Sequence, residues 1–341
     1  VSDDQLPRLG LFMLAPLLAL VLIAVNAIGQ IVDANDRLVS GQALNAFTSQ
    51  AAEALDALQG ERANAAVVLR NIAPGGRQQY RQSWQRTDAL MADLIAPATD
   101  TSVARFSAQT GSRLEALTAG LDDLRAAVLS EAISLEEGVN GYSAMITGFI
   151  EALAAQFEAL DEPSMRFAEA FLDISMLHER VAVEAGTGLT AFYSGQIDPE
   201  AHALFIGAVA PQDLLASRFS ALAGPTWRDA LSSTLAGAAD AELEEARNTI
   251  IAAGYTEERV VDQSHRTWWR ETRLPVYFAL GELRNQYAVD GLPADMEAAR
   301  EQRTRATRNA LLQILALLLA SAASLYGLVS LIKPDDQAER V

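Results

Sequence analysis

Cysteine is missing from this chain altogether. That removes disulfides, thiolate metal sites and thiol nucleophiles together. Histidine is scarce: His178, His202 and His265 are so widely spaced that no histidine-based metal site is expected. Lysine occurs once, as Lys333, so nearly all of the 26 cationic residues are arginine. Such a bias follows base composition, and arginine abundance alone marks no site. Positive charge is also short overall, the formal net charge being −18. A nucleic-acid partner is therefore not expected, because phosphate binding relies on a cationic surface. Nor is there a glycine-rich phosphate loop after a strand, a Gly-x-Ser-x-Gly or a His-Glu-x-x-His. The adjacent acidic pairs Glu136/Glu137 and Glu244/Glu245 read as solvated helix faces, and no catalytic residue, metal or cofactor is expected.

What is present is a chain of 341 residues, half of them apolar, long enough to bury a sizeable core. Two uncharged runs frame it, Arg8 to Asp33 and Arg308 to Lys333, each enclosing 24 residues. Both exceed the ~20 residues that a helix needs to cross a bilayer core. They predict transmembrane helices at 9–32 and 309–332, with tails 1–8 and 333–341 on one side and residues 33–308 on the other. A signal peptide is the alternative for the first run, with Val25-Asn26-Ala27 as its cleavage site. The acidic leader (Asp3, Asp4) and the length of the run favour an uncleaved anchor. Counting flanking arginines (Arg37, Arg300, Arg303, Arg305, Arg308 against Arg8, Lys333, Arg340) puts the long segment inside, but long domains translocate largely regardless of charge. The arginines between 300 and 308 read as meeting lipid headgroups.

Residues 33–308 read as helix almost throughout, being rich in alanine and leucine and free of sustained alternation. Pro74-Gly75-Gly76 ends a first helix and Pro97 a second. Ser134-Leu135-Glu136-Glu137 has capping-box spacing and opens a helix to about Leu160. Further starts fall at Asp161-Glu162-Pro163, Asp198-Pro199-Glu200, Gly224-Pro225 and Thr256-Glu257-Glu258. Gly254 closes a helix, and Gly291-Leu292-Pro293 precedes the last. The predicted fold is all-α: two tandem antiparallel helical bundles between two transmembrane helices.

A faint repeat points to the candidate site. Leu58-Gln59-Gly60-Glu61-Arg62-Ala63 and Leu177-His178-Glu179-Arg180-Val181-Ala182 each carry Glu-Arg ahead of small residues. Each is followed some 25 to 35 residues later by Gln/Asp in another helix (Gln85/Asp88 and Gln212/Asp213). A guanidinium among small residues is partly buried and needs an anion or acceptors, and its planar fork suits a planar oxyanion. An ion pair to a neighbouring helix, with Glu61 or Glu179, explains Arg62 and Arg180 equally well. Arg247, in the acidic helix AELEEARNTI, is a third candidate that by itself reads as a surface residue. In HRTWWRETR (His265–Arg273), Trp268 and Trp269 read as anchors of a bundle core.

The strings LQGERANAAVVL, SWQRTDALMADL and LRAAVLSEAISLEEGVNGYSAMITGFIEAL, followed by LHERVAVEAGTGLTAFYSGQIDPEAHALFIGAVAPQDLLASRF, resemble the nitrate- and nitrite-sensing (NIT) domain over roughly residues 45–290. That resemblance implies two four-helix bundles, a bacterial inner-membrane sensor with its main domain periplasmic, and nitrate or nitrite bound by Arg62, Arg180 and Arg247. It also implies a homodimer. Ala63 departs from the family, where glycine or a second arginine is common. Only KPDDQAERV follows the second run, which calls for a separate output partner such as a histidine kinase. A structural or adaptor subunit that keeps the sensor fold without its ligand is the alternative.

Overall fold

A computed structural model of the chain describes residues 6–71, 74–95, 101–157, 160, 162–236 and 240–332. Among these, regular structure is helical, apart from one isolated antiparallel bridge between Gln196 and Val260. The helices are α1 (Leu6–Arg70), α2 (Gly76–Ile95), α3 (Thr101–Leu129), α4 (Leu135–Phe157), α5 (Glu162–Ser194), α6 (Pro199–Val209), α7 (Gln212–Leu222), α8 (Pro225–Leu235) and α9 (Asp240–Gly254). A 3-10 turn (Gln263–His265), α10 (Arg266–Trp268) and a π-helical turn (Trp269–Arg273) lead into α11 (Leu274–Asp290), and α12 spans Pro293–Ile332.

The punctuation works as its chemistry dictates. Glu137 N–H donates to Ser134 Oγ at 3.1 Å while Ser134 N–H donates to the Glu137 carboxylate at 2.7 Å, a reciprocal box at the head of α4. Asp198 accepts from Ala201 N–H at 2.9 Å, with Pro199 in the first turn of α6. The expected helix at Thr256 does not form. Thr256 Oγ1 accepts from Arg259 N–H, Arg259 takes φ 49°, and the chain then runs extended beside Gln196, with Val261 N–H donating to Gly195 O. The threonine hydroxyl satisfies a turn here rather than a helix start.

Residues 41–294 form one compact unit; the described residues outside that range form another. Within 41–294, α5 packs against α4, α6, α7 and α11, and α3 packs against α2 and α4. Its inward rows supply much of the core: Phe167, Phe171, Ile174, Val181 and Phe192 on α5, with Leu44, Phe47, Leu55 and Leu58 on α1. Trp269 is fully buried, as the sequence leads one to expect, and its indole N–H donates to Ala185 O at 3.0 Å.

The two-span, inner-membrane reading is corrected. Among the described residues no helix is long and apolar enough to cross a membrane. The described part of the second run carries the polar residues Asn309, Gln313 and Ser321 among its leucines. Most side chains of 9–32 and those of 324–332 lie outside the described residues, as do residues 1–5 and 333–341 of the expected tails. Arg305, read as facing headgroups, pairs with Glu301 at 2.8 Å on its own helix.

Candidate functional site

Among the described residues of the 41–294 unit, three polar clusters are each built around a buried glutamate. In the first, Glu61 of α1 is grasped by Arg125 of α3, Nε to Oε1 at 2.8 Å and Nη2 to Oε2 at 3.0 Å. That is the two-pronged geometry that makes guanidinium–carboxylate pairs strong. Tyr142 donates to Glu61 Oε1 at 2.6 Å and is itself 2.7 Å from the Tyr80 hydroxyl. Burial pushes the Tyr80 phenol up to about 12 and raises Tyr142 as well. Arg125 also donates to Asp88 of α2 at 2.8 Å and stacks over Trp84, 5.3 Å from the ring centre.

The second cluster repeats this plan. Glu184 of α5 is grasped by Arg247 of α9, Nε to Oε1 at 2.8 Å and Nη2 to Oε2 at 3.3 Å. Gln212 of α7 stands where the first cluster has Asp88, accepting from Arg247 Nη2 at 2.8 Å and donating to Glu184 at 2.6 Å. Arg125 follows Glu61 by 64 residues and Arg247 follows Glu184 by 63. Asp88 precedes Arg125 by 37 and Gln212 precedes Arg247 by 35. A further cation is present, Arg273, whose Nη2 donates to Glu184 and, at 2.7 Å, to Gln212. Burial lowers the Glu184 tendency to ionise, but Arg273 and Arg247 outweigh it and hold its pKa below the usual range.

The third cluster joins α1, α5, α4 and α11. Arg62 is buried and donates from Nη1 alone to Glu179 at 2.5 Å and Ser143 at 2.7 Å. Burial disfavours its charge, yet Glu179 and Tyr277 raise its pKa overall. Gln59 also donates to Glu179, at 3.2 Å. Alongside, the fully buried Arg284 bonds to Asp56, Asn285 and Gln59. Its Nη1 lies 3.3 Å from His178 Nδ1. Arginine can only donate, so Nδ1 is the acceptor and His178 is neutral. Burial, then Arg284 and Arg62, hold its pKa far below the ordinary value.

Of the three arginines singled out in the sequence, Arg62 thus pairs with Glu179 of the other Glu-Arg string, and Arg247 lies in the Glu184 cluster. Arg180 makes no hydrogen bond or ion pair with a described residue, and its buried Nε has no partner. It stands one residue after Glu179 and one turn before Glu184, so along α5 it separates the two clusters. The residues missed in the sequence are Arg125, Arg273 and Arg284, together with the roles of Glu61 and Glu184. The nearly constant Glu-to-Arg separation of the first two clusters is the signal that could have found Arg125.

Among the described residues no group of histidine and acidic side chains is placed to hold a metal ion. The family described as nitrate and nitrite sensing matches residues 53–274. Among solved structures, that of the NasR transcription antiterminator shares the fold, with a TM-score of 0.59 at 17% identity, covering 90% of this chain and 86% of that one. No curated protein matches.

Proposed function

Since the chain belongs to the nitrate and nitrite sensing family, we propose that its 41–294 unit binds nitrate or nitrite and reports that binding through its long helices to a separate output protein. The observation that carries this reading is Arg180, next to Glu179 in the sequence of α5, whose buried Nε has no partner among the described residues. A buried polar group without a partner costs free energy, so such a group persists where a ligand completes it. Arg62 adds a second donor: its bonds to Glu179 and Ser143 leave from Nη1, Tyr277 also interacts with it, and its Nε–Nη2 edge has the shape that matches a planar oxyanion.

In this reading the anion takes Arg180 and that edge of Arg62 and competes with Glu179 for the guanidinium. The tie between α1 and α5 loosens or shifts accordingly. Because α1 runs without interruption from Arg62 back to Leu6, displacement at the site is carried along the helix. The ligand moves this equilibrium only by its difference in affinity for the two arrangements. Arg247 of α9 acts through Glu184, which lies one turn beyond Arg180 on α5.

Nitrate has four heavy atoms, so a ceiling of ~1.5 kcal/mol per atom limits binding to about −6 kcal/mol, a dissociation constant of order tens of micromolar. Calorimetric titration of the full chain with sodium nitrate and sodium nitrite tests this. Saturable heat that disappears in Arg180→Met supports it; silence up to millimolar anion refutes it. The rival reading, an adaptor that keeps the fold without the ligand, is favoured by Arg62 already being paired, and it predicts that silence.

A further inference from the structure

The first two clusters differ in one systematic way. In the first cluster the buried carboxylate Glu61 balances the one guanidinium, Arg125, while half-exposed Asp88 touches it from the surface. In the second, the place of Asp88 is taken by the neutral Gln212, and a second guanidinium, Arg273, has been added. Its only buried carboxylate, Glu184, is shared by Arg247 and Arg273. Glu244 also touches Arg247, but from the surface, where water screens it. The buried part of the second cluster is therefore one positive charge in excess, where the first is not.

Arg273 shows where that excess is unresolved. It is 2% exposed, both of its bonds leave from Nη2, and its Nε is buried without a partner. It is delivered by the π-helical turn Trp269–Arg273, an arrangement that costs helix regularity and recurs at functional positions. Fully buried Trp269 opens the same turn, so the ground next to Arg273 is partly apolar and a bare charge there is expensive. Burial first, with Arg247 adding like-charge repulsion, lowers the Arg273 pKa in spite of Glu184.

We infer that Arg273 and Arg247, with Gln212, form a second site for a small monovalent inorganic anion (nitrate or a halide), separate from the Arg62–Arg180 position. The anion balances the second guanidinium that Glu184 alone leaves unneutralised, and it is held at the Arg273 Nε–H. This inference rests on the charge count of the second cluster and does not need the nitrate reading to be correct.

The test substitutes the missing carboxylate itself. Gln212→Glu gives the second cluster a second buried carboxylate for its two guanidinium groups and should fold, because it neutralises a buried excess; Arg273→Met removes the excess from the other side. The full chain, dialysed into gluconate buffer, is titrated with sodium nitrate by calorimetry and with sodium chloride by chlorine NMR linewidth. Wild type is expected to bind two anions, and each of these variants to lose one of them or to weaken it at least about tenfold, some 1.4 kcal/mol. The anion that Arg62→Met removes should persist in both. Unchanged stoichiometry and affinity in Gln212→Glu and Arg273→Met would overturn the inference, as would a single wild-type site abolished by Arg62→Met alone. Two sites that survive Arg62→Met but fall to one in Gln212→Glu would support this inference while refuting the Arg62 assignment.

Discussion

Replacing Glu184 by glutamine removes the one buried carboxylate on which two guanidinium groups depend. Glu184 is 0% exposed, and it accepts from Arg247 Nε at 2.8 Å and Nη2 at 3.3 Å, from Gln212 at 2.6 Å and from Arg273. Glutamine keeps the shape but offers one acceptor oxygen and no charge, so among the described residues Arg247 and Arg273 are left with Glu244, at the surface, as the one carboxylate paired to either. Breaking a buried pair by removing one partner typically costs about 3–5 kcal/mol, because the other charge is stranded. With two cations stranded, the upper end of that range is expected for Glu184→Gln. The assay is urea denaturation of the full chain at pH 7, with Arg273→Met and the double variant completing a cycle. The double variant strands one cation fewer and should recover about half of the loss. The pH dependence provides a second reading. The folded-state pKa of Glu184 is depressed by Arg273 and Arg247, so its stabilisation is present above the unfolded carboxylate range and is lost as pH falls through the folded value. Wild type should therefore lose stability in acid more steeply than Glu184→Gln. A single-variant cost below about 1 kcal/mol, or parallel acid limbs, would refute the claim that this carboxylate neutralises the cluster.

Three other perturbations follow from the same geometry. Glu179→Gln removes the internal competitor for Arg62, so nitrate should bind the variant more tightly than wild type in calorimetry; weaker binding would mean that Glu179 positions the ligand instead. Glu136 lies by Asp198 and Glu200, and burial first, then these carboxylates, raise its pKa to about 7. A raised carboxyl pKa means the folded state holds the proton more firmly, so stability should fall as pH climbs from about 4.5 to 7. Partial exposure limits the effect to about 1 kcal/mol, and thermal melts of Glu136→Gln should lack that slope. A Cβ on Gly188 would lie 2.4 Å from Trp269 Cζ2, and that ring is buried and anchored to Ala185 O. Gly188→Ala should cost about 1–3 kcal/mol by overpacking, read from the urea midpoint.

Much of the helical framework was legible because its boundaries are written in local chemistry. The Ser134–Glu137 box, the Asp198–Pro199 start and the Gly224–Pro225 start each satisfy or remove orphan backbone donors within a few residues, so short strings suffice to find them. Thr256 misled because a threonine before two glutamates satisfies a turn as readily as a helix, and the choice was made by pairing with Gln196, 64 residues earlier in the chain than Val260. The membrane assignment rested on runs without charge, whereas among the described residues no helix is long and apolar enough to cross a membrane.

The candidate site was half legible, and helix geometry explains which half. Matching Glu61-Arg62 to Glu179-Arg180 treats the two strings as equivalent, yet the residue that does on α5 what Glu61 does on α1 is Glu184, five positions later. Five residues turn a helix by about 140° beyond a full revolution. Glu179 and Glu184 therefore address different neighbours: Glu179 reaches Arg62 of α1, and Glu184 reaches Arg247 of α9 and Gln212 of α7. One helix thus carries both a tie to the first half and the centre of the second, with Arg180 between them. A string comparison registers identity of residues and is blind to the direction in which a helix points them. Only the recurring long separations, Glu to Arg and Asp or Gln to Arg, encode the direction, since they are fixed by which helices pack together.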